Sequence, residues 1–154
     1  MLIEKTDIVW SKKIKKLCGN AYPLHKHGCP NYNVKGGCPM NNKDITELMD
    51  ISKSVYVIGV SFDLEAHRNM MHKKHPIWSF RQCNNLLYWQ SRQRKHIRLL
   101  VEDFLKQHPG LVVDFLPEGH GVNVTTMMKK LEKPLDWKYP LHKVWRIAIL
   151  GRSL

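Results

Sequence analysis

The sequence predicts a small single domain of the α/β or α+β class, in which about three strands pack with helices behind an N-terminal cysteine-rich loop segment. Two observations predict this fold. The chain has 154 residues, of which 43% are apolar, and that is enough for one core. Strand-sized apolar runs and helical patterns follow one another in its second part. We therefore divide the domain 1–154 into a cysteine-rich basic segment, 1–40, and an α/β core, 50–154.

Residues 22–40 are predicted to form a long loop. Glycines, prolines and asparagines recur there, with neither a helical nor an alternating apolar pattern. A loop of this length needs something to hold it in place.

The first regular element of the core is a buried strand over residues 55–62, which are rich in β-branched and aromatic side chains. Asp63 is placed to cap a helix that runs to about Lys74. His75 and Pro76 end that helix, because a residue before proline avoids helical geometry.

The longest element is predicted to begin at Ser79, which forms a capping-box pattern with Gln82. Apolar residues then recur at helical spacing up to Pro109 and Gly110; they are Phe80, Leu87, Ile97, Val101 and Phe104. Cys83 is thus expected in the first turns of this helix.

Two polar residues interrupt the apolar seam of that helix. Gln90 and Arg94 occupy positions where apolar residues would be expected. Either these two side chains face a functional site, or the seam drifts to Leu86, Trp89 and Leu100 and leaves Arg94 in solvent.

A second strand is predicted over 111–116, and it runs into the glycine-rich turn Pro117–Val124. A strand, a turn and a helix start can form an anion or substrate site, because free N–H groups face outward at a helix N-terminus. Glu118 and His120 in this turn are the candidate catalytic residues. The alternative is an ordinary turn in which Asn123 caps the next helix.

The last predicted elements complete the core. The helix after the turn continues to about Leu131, and Pro134 and Pro140 mark a loop. A third strand over 144–150 follows, and Gly151 ends it.

The four cysteines carry the strongest chemical signal in the chain. Cys18, Cys29, Cys38 and Cys83 match the ligand number of a [4Fe-4S] cluster or a four-cysteine zinc site. Two of them lie in repeated Gly-Cys-Pro tripeptides, 28–30 and 37–39, in which glycine and proline favour an open, stiff loop. We interpret all four as metal ligands. The alternatives are two disulfides or unrelated buried thiols.

The cysteine spacing favours an iron-sulfur cluster over zinc. Zinc fingers and ribbons usually contain Cys-x2-Cys pairs, and this sequence has none. Cysteine followed by proline occurs in ferredoxins, although the short ferredoxin spacing is absent. A [4Fe-4S] cluster is therefore the expected cofactor, zinc is the alternative, and His25 and His27 remain further candidate ligands.

Charge predicts the partner. There are 25 Lys+Arg against 13 Asp+Glu, so the net charge is +12, which favours binding to polyanions such as RNA or DNA. The candidate nucleic-acid-binding residues form two groups: Lys12, Lys13, Lys15 and Lys16, then Arg92, Arg94, Lys95 and Arg98. Charge alone does not distinguish RNA from DNA, and it also fits membership of a larger complex.

Location is predicted from what the sequence lacks. The longest convincing apolar run, 55–60, is strand-sized, so no membrane partner is expected. Residues 1–17 lack the pattern of a secretion signal. We therefore expect a cytoplasmic protein in a reducing compartment, which agrees with free thiols.

Several of these motifs together resemble a poorly characterised family of small microbial and phage proteins described as predicted metal-binding. The motifs are Tyr22-Pro23, Gly28-Cys29-Pro30-Asn31-Tyr32, Gly37-Cys38-Pro39, Tyr88-Trp89-Gln90 and Glu118-x-x-Gly121-x-Asn123-Val124, and they span most of the chain. The resemblance implies a metal or cluster at Cys18, Cys29 and Cys38, with Cys83 as the fourth ligand. It implies no particular reaction.

Three functions are compatible with the sequence. The first is a nucleic-acid-binding protein stabilised by a four-cysteine [4Fe-4S] cluster. The second is an enzyme whose cluster has three cysteine ligands and an open iron for sulfur transfer or desulfuration of a nucleotide or RNA base. In that enzyme Cys83, Glu118 or His120 would be the acid, base or nucleophile. The third is an electron carrier, and a structural zinc module is a further alternative.

Overall fold

The computed structural model of the protein has a four-stranded antiparallel sheet packed with helices, which confirms the predicted fold class as α+β. The structure describes residues 1–22, 25–34, 38 and 42–154. The strands are β1 (Leu2–Thr6), β2 (Val55–Asp63), β3 (Leu111–Asp114) and β4 (Lys143–Arg152). Their order in the sheet is β1-β2-β4-β3.

The two long central strands bring together residues from distant parts of the chain. In the pairing of β2 with β4, Val60 lies opposite Arg146 and Phe62 lies opposite Val144. On the other side of β4, Asp114 at the end of β3 lies opposite Ile149. The residues that follow Asp114 therefore leave the sheet close to Arg146.

Five helices accompany the sheet in the described part of the chain. They are α1 (Lys12–Lys16), α2 (Leu64–Lys74), α3 (Phe80–Cys83), α4 (Gln90–Gln107) and α5 (Val124–Lys130). The two predicted caps are confirmed, because the side chains of Asp63 and Ser79 accept hydrogen bonds from the first turns of α2 and α3. Asn123 caps α5 in the same way, as the alternative interpretation of the glycine-rich turn had it.

Each face of the sheet contributes to its own apolar core. On one face, Val57 and Ile149 belong to a core that includes Met127 and Met128 of α5. On the other face, Ile58, Val60, Ala148 and Leu150 pack with Ile97 and Val101 of α4. Alternate residues of β2 and β4 thus point to opposite cores, as expected for strands covered on both sides.

Three features of the fold differ from the sequence-based prediction. Gly151 does not end the last strand, because β4 continues through it to Arg152, where it pairs with β3. The strand β1 was not predicted, and it lies at the edge of the sheet with only Leu2 buried, so its apolar pattern is weak. The predicted long helix from Ser79 is divided, because Asn84 and Asn85 separate α3 from a 3-10 turn at Leu86–Tyr88 and from α4. The Asn85 side chain accepts a hydrogen bond from the Leu87 N–H at 3.0 Å, which favours a new start there.

None of the helices in the described residues is both long enough and apolar enough to cross a lipid bilayer.

Candidate metal centre and adjoining arginine cluster

The position of Cys18 follows from the short helix before it. The Ser11 side chain caps α1 by accepting a hydrogen bond from the Lys13 N–H at 3.2 Å. The chain then tightens into a 3-10 turn at Leu17–Gly19, so Cys18 lies at the end of α1 and is half-buried.

A close backbone contact places Cys29 beside Cys18. The Cys29 N–H donates to the Cys18 carbonyl oxygen at 2.9 Å. Gly28 has a φ of +78°, and a Cβ atom at this position would lie only 2.5 Å from the Gly19 carbonyl oxygen. Glycine is therefore required by both conformation and space, which explains the Gly28-Cys29 pair of the first Gly-Cys-Pro tripeptide.

Cys38 belongs to the same group. Its thiol donates a hydrogen bond to the carbonyl oxygen of Asn31, two residues after Cys29. Its neighbours in the second tripeptide, Gly37 and Pro39, lie outside the described residues, as does Pro23 of the Tyr22-Pro23 motif. The described contacts thus connect Cys18 to Cys29, and Cys38 to the segment just after Cys29.

The electrostatics agree with this grouping. Burial is the main cause that raises the pKa of the Cys18 thiol, and the negative charges of Glu118, Cys29 and Cys38 raise it further. Burial also raises the pKa of Tyr22, with additional contributions from the nearby Cys29 and Cys18. Three thiols, one carboxyl group and a phenol therefore share one region.

The Glu-x-x-Gly-x-Asn-Val turn explains why Glu118 lies near Cys18. The segment just before α1 pairs with this turn, because the Ser11 N–H donates to the Gly121 oxygen at 2.8 Å and the Asn123 N–H donates to the Val9 oxygen at 2.7 Å. Gly121 has a φ of +87°, and a Cβ atom there would lie 3.0 Å from the Ser11 oxygen. The glycine thus permits the close approach that holds α1 against the turn.

Glu118 lies in the 3-10 turn Pro117–His120. The residue as a whole is accessible to solvent, yet protein atoms surround its carboxyl group. That surrounding protein is the main cause that raises the pKa of Glu118, and the negative charge of Asp114 adds to the effect. Its own backbone N–H and Arg146 act in the opposite direction.

His120 is held by a partner that sequence analysis did not identify. Its Nδ1 atom lies 2.8 Å from Oδ2 of Asp114, whose side chain is only 2% exposed. Asp114 Oδ1 also accepts a hydrogen bond from the Leu116 N–H at 2.7 Å. Asp114 therefore fixes both the imidazole and the start of the turn, and the only sequence signal for it was its place at the end of a strand.

The residues present suit a metal, although they are not closed around one. Within the described ranges, no group of three or more His, Cys, Asp or Glu side chains is positioned to hold a metal ion as the structure stands. The donor set is nevertheless rich in thiols, which soft metals and iron-sulfur clusters prefer, and thiol sites commonly close only when the metal binds. The loop would have to move for the thiols to close around a metal, and Gly19 and Gly28 are the residues at which its two ends touch.

Cys83 lies in a different environment from the other three cysteines. It is 1% exposed, at the end of α3, and its N–H donates to the Ser79 oxygen at 3.0 Å. The groups that perturb the Cys18 thiol are Glu118, Cys29 and Cys38, without Cys83. The assignment of Cys83 as fourth ligand stays a prediction.

The first predicted basic group is partly engaged within the protein. Lys15 is 8% exposed; its ammonium group forms an ion pair with Asp44 and donates to the Asn42 oxygen at 2.8 Å. Lys12 Nζ also lies 3.4 Å from Asp44, although its side chain is mostly exposed. Lys13 and Lys16 are exposed. Lys15 is thus better placed to anchor α1 than to contact a polyanion.

The second predicted basic group extends to a residue that sequence analysis missed. Arg94, Lys95 and Arg98 lie on one open face of α4, which also carries the carboxylate of Glu102. Burial lowers the pKa of the half-buried Arg146 on β4, and the positive charges of Arg94 and Arg98 lower it further, while Glu118 opposes them. We call Arg94, Arg98 and Arg146 the arginine cluster. The signal for Arg146 was a lone arginine within an apolar strand.

Comparisons with protein-family models, with curated proteins and with solved structures found no match for this chain. The resemblance to a predicted metal-binding family therefore rests on the sequence motifs alone.

Proposed function

We propose that the protein carries a [4Fe-4S] cluster on Cys18, Cys29 and Cys38, with one iron left open beside Glu118. The observation that carries this proposal is the set of backbone contacts that bring the Cys18–Gly19 and Gly28–Cys29 segments together, with Cys38 joined to Asn31. Three thiolates and an open position would allow a substrate to reach the metal, and such an iron supplies Lewis-acid or sulfur-carrying chemistry.

The charge at the site supports a bound cation. Burial raises the pKa of the Cys18 thiol, and the negative charges of Glu118, Cys29 and Cys38 add to that effect. Metal binding favours the thiolate form, so a metal at this position would offset the cost of ionising Cys18. Glu118 would then lie at the open side of the centre, where it is suited to exchange a proton with a bound substrate.

The test is metal and sulfide analysis, with a visible spectrum, of protein purified without oxygen. We expect about four irons and about four sulfides per chain with a brown charge-transfer band. One zinc per chain without colour would instead indicate a structural zinc module. The absence of both metal and sulfide from the purified protein would contradict the proposal. A reversible one-electron couple without affinity for nucleic acid would favour the electron carrier.

A second function, contact with nucleic acid, is favoured by the arginine cluster. The guanidinium groups of Arg94 and Arg98 on α4 lie close enough to lower the pKa of Arg146 on β4, and a phosphate placed among the three would reduce their repulsion. Together with the net charge of +12, this makes RNA or DNA the best partner class. Binding of a short oligonucleotide should weaken steeply with added salt; binding that does not depend on salt would contradict this function.

A further inference from the structure

A cleft of about 120 Å³ lies beside the arginine cluster, between the sheet and the start of α4. Neighbouring positions of β2 and β4 and the first turn of α4 line it: Val60, Phe62, Val144, Arg146, Trp89 and Gln93. Gln90, whose place on the helix seam was unexplained, also lines this cleft. The cleft therefore combines apolar walls, amide groups and one guanidinium group.

Aromatic rings form one side of the cleft. Phe62 and Trp89 are stacked, with ring centroids 4.9 Å apart and planes at 11°. Both residues remain partly accessible to solvent. A planar heterocycle is well suited to such a surface, since stacking on aromatic side chains is a main source of affinity for nucleobases.

Gln93 offers a specific polar contact in the cleft. Its Oε1 atom is closed to solvent, and no hydrogen-bond donor reaches it from the described residues. A buried acceptor without a donor is unfavourable, so a turn of the Gln93 side chain toward a ligand N–H in the cleft would satisfy this oxygen and favour such a ligand. Uracil and cytosine both carry N–H donors on their ring edge.

The charge around the cleft indicates an anionic group on the same ligand. Arg146 lines the cleft, while Arg94 and Arg98 lie near enough to affect it electrostatically and are exposed on α4. A phosphate bound among these three side chains would be close to a ring bound in the cleft. A ring with an attached phosphate is the chemistry of a nucleotide.

The volume of the cleft limits the size of the heterocycle that it can bind. Apolar cavities of about 150 Å³ accept benzene, so a cleft of about 120 Å³ suits one six-membered ring better than two fused rings. We infer that this cleft binds the base of a pyrimidine nucleotide, with its phosphate on the arginine cluster. This inference rests on the proposed contact with nucleic acid and does not depend on the metal centre.

Isothermal titration calorimetry of the protein tests the inference. The ligands are uridine monophosphate, cytidine monophosphate, adenosine monophosphate and ribose 5-phosphate. The two pyrimidine nucleotides should bind about tenfold or more tighter than ribose 5-phosphate, because only they use the cleft. Adenosine monophosphate should bind more weakly than they do. Equal affinity for uridine monophosphate and ribose 5-phosphate would overturn the inference.

Variants separate the base from the phosphate. Trp89→Leu should weaken uridine monophosphate about fivefold or more, whereas Trp137→Leu, an exposed tryptophan outside the cleft, should leave it unchanged. Gln93→Leu has nearly the same shape and should lower the preference for uridine monophosphate over ribose 5-phosphate, with Gln107→Leu as its control on the same helix. Circular dichroism checks that each variant folds. If Trp89→Leu does not fold, the result with Gln93→Leu decides the test.

A short oligouridine titrated with salt distinguishes this inference from the proposed function. One outcome is that the oligomer binds in a salt-dependent way that Trp89→Leu and Gln93→Leu leave unchanged. That result would overturn the inference about the cleft and support the proposed contact with nucleic acid. Specific binding of uridine monophosphate without binding of the oligomer would support the cleft and contradict the nucleic-acid function.

Discussion

Two glycines allow the backbone contacts that bring the residues of the candidate metal centre together. Gly28 and Gly121 both have positive φ and both touch another backbone: Gly28 approaches Gly19, and Gly121 approaches Ser11. The first contact brings two cysteines together, and the second holds α1 against the turn that carries Glu118. The glycine of the first Gly-Cys-Pro tripeptide and the glycine of the Glu-x-x-Gly-x-Asn-Val turn are therefore both required because a side chain would not fit.

Gly121→Ala should destabilise the protein by about 2–3 kcal/mol, because alanine is strained at this φ and its Cβ would press on the Ser11 oxygen. Gly110→Ala is the matched control. Gly110 has a φ of +86° but no atom within 4 Å of its added Cβ, so only the backbone strain of about 1 kcal/mol applies. Urea unfolding measures both, and equal losses would contradict a role for the contact with Ser11.

Individual residues also show what sequence can and cannot predict. Asp63 and Ser79 were predicted as helix caps, and Asn123 was the cap in the alternative interpretation of its turn, because a cap depends on the next three residues only. All three side chains cap a helix. Asp114 and Arg146 were missed because their roles depend on neighbours from other parts of the chain. The four cysteines were interpreted as ligands because thiols are the donors that soft metals and iron-sulfur clusters prefer, and that assignment stays a prediction.

At the scale of elements, local patterns predicted the central strands and missed the edge. The runs that became β2 and β4 are apolar on both faces, so they are recognisable alone. The edge strand β1 has little apolar content and forms because β2 offers it a partner. The division between α3 and α4 was missed because the apolar residues keep helical spacing across Asn84 and Asn85, although the backbone there is not helical.

The helix α1 depends on an ion pair for its place. Lys15 and Lys12 both pair with Asp44, and the hydrogen bond from Lys15 is the main cause that lowers the pKa of Asp44. A carboxyl group with a lowered pKa stabilises the fold at pH values above its unfolded pKa of about 3.9, and this contribution is lost as the pH falls through the folded value.

Asp44→Asn should therefore lower the free energy of unfolding by about 1–2 kcal/mol at pH 7, and the difference from the unsubstituted protein should shrink at pH 3 and below. Asp103→Asn, on the exposed face of α4, is the control and should change little at either pH. Urea unfolding at the two pH values gives the measurement. A loss of stability that is the same at both would show that the ion pair is not its cause.

At the scale of the whole molecule, the candidate sites form one continuous region. The charge of Glu118 raises the pKa of Cys18 on one side and that of Arg146 on the other. Arg146 in turn lines the aromatic cleft, near Arg94 and Arg98. The sheet makes this possible, because β4 places Arg146 opposite β2 while β3 leads directly into the turn with Glu118. A substrate bound in the cleft would thus have the proposed metal centre as a neighbour.

The measurement that tests the central claim most directly is the iron and sulfide content of four variants, Cys18→Ala, Cys29→Ala, Cys38→Ala and Cys83→Ala, purified without oxygen. The first three should each lose most of the cluster, because each removes one of only three thiolate ligands. Cys83→Ala should keep the iron and sulfide of the unsubstituted protein and lose about 1 kcal/mol of stability, as expected for a buried thiol. Loss of the cluster in all four variants would contradict the three-cysteine centre and support four ligands, and full retention in all four would contradict any cysteine-bound cluster.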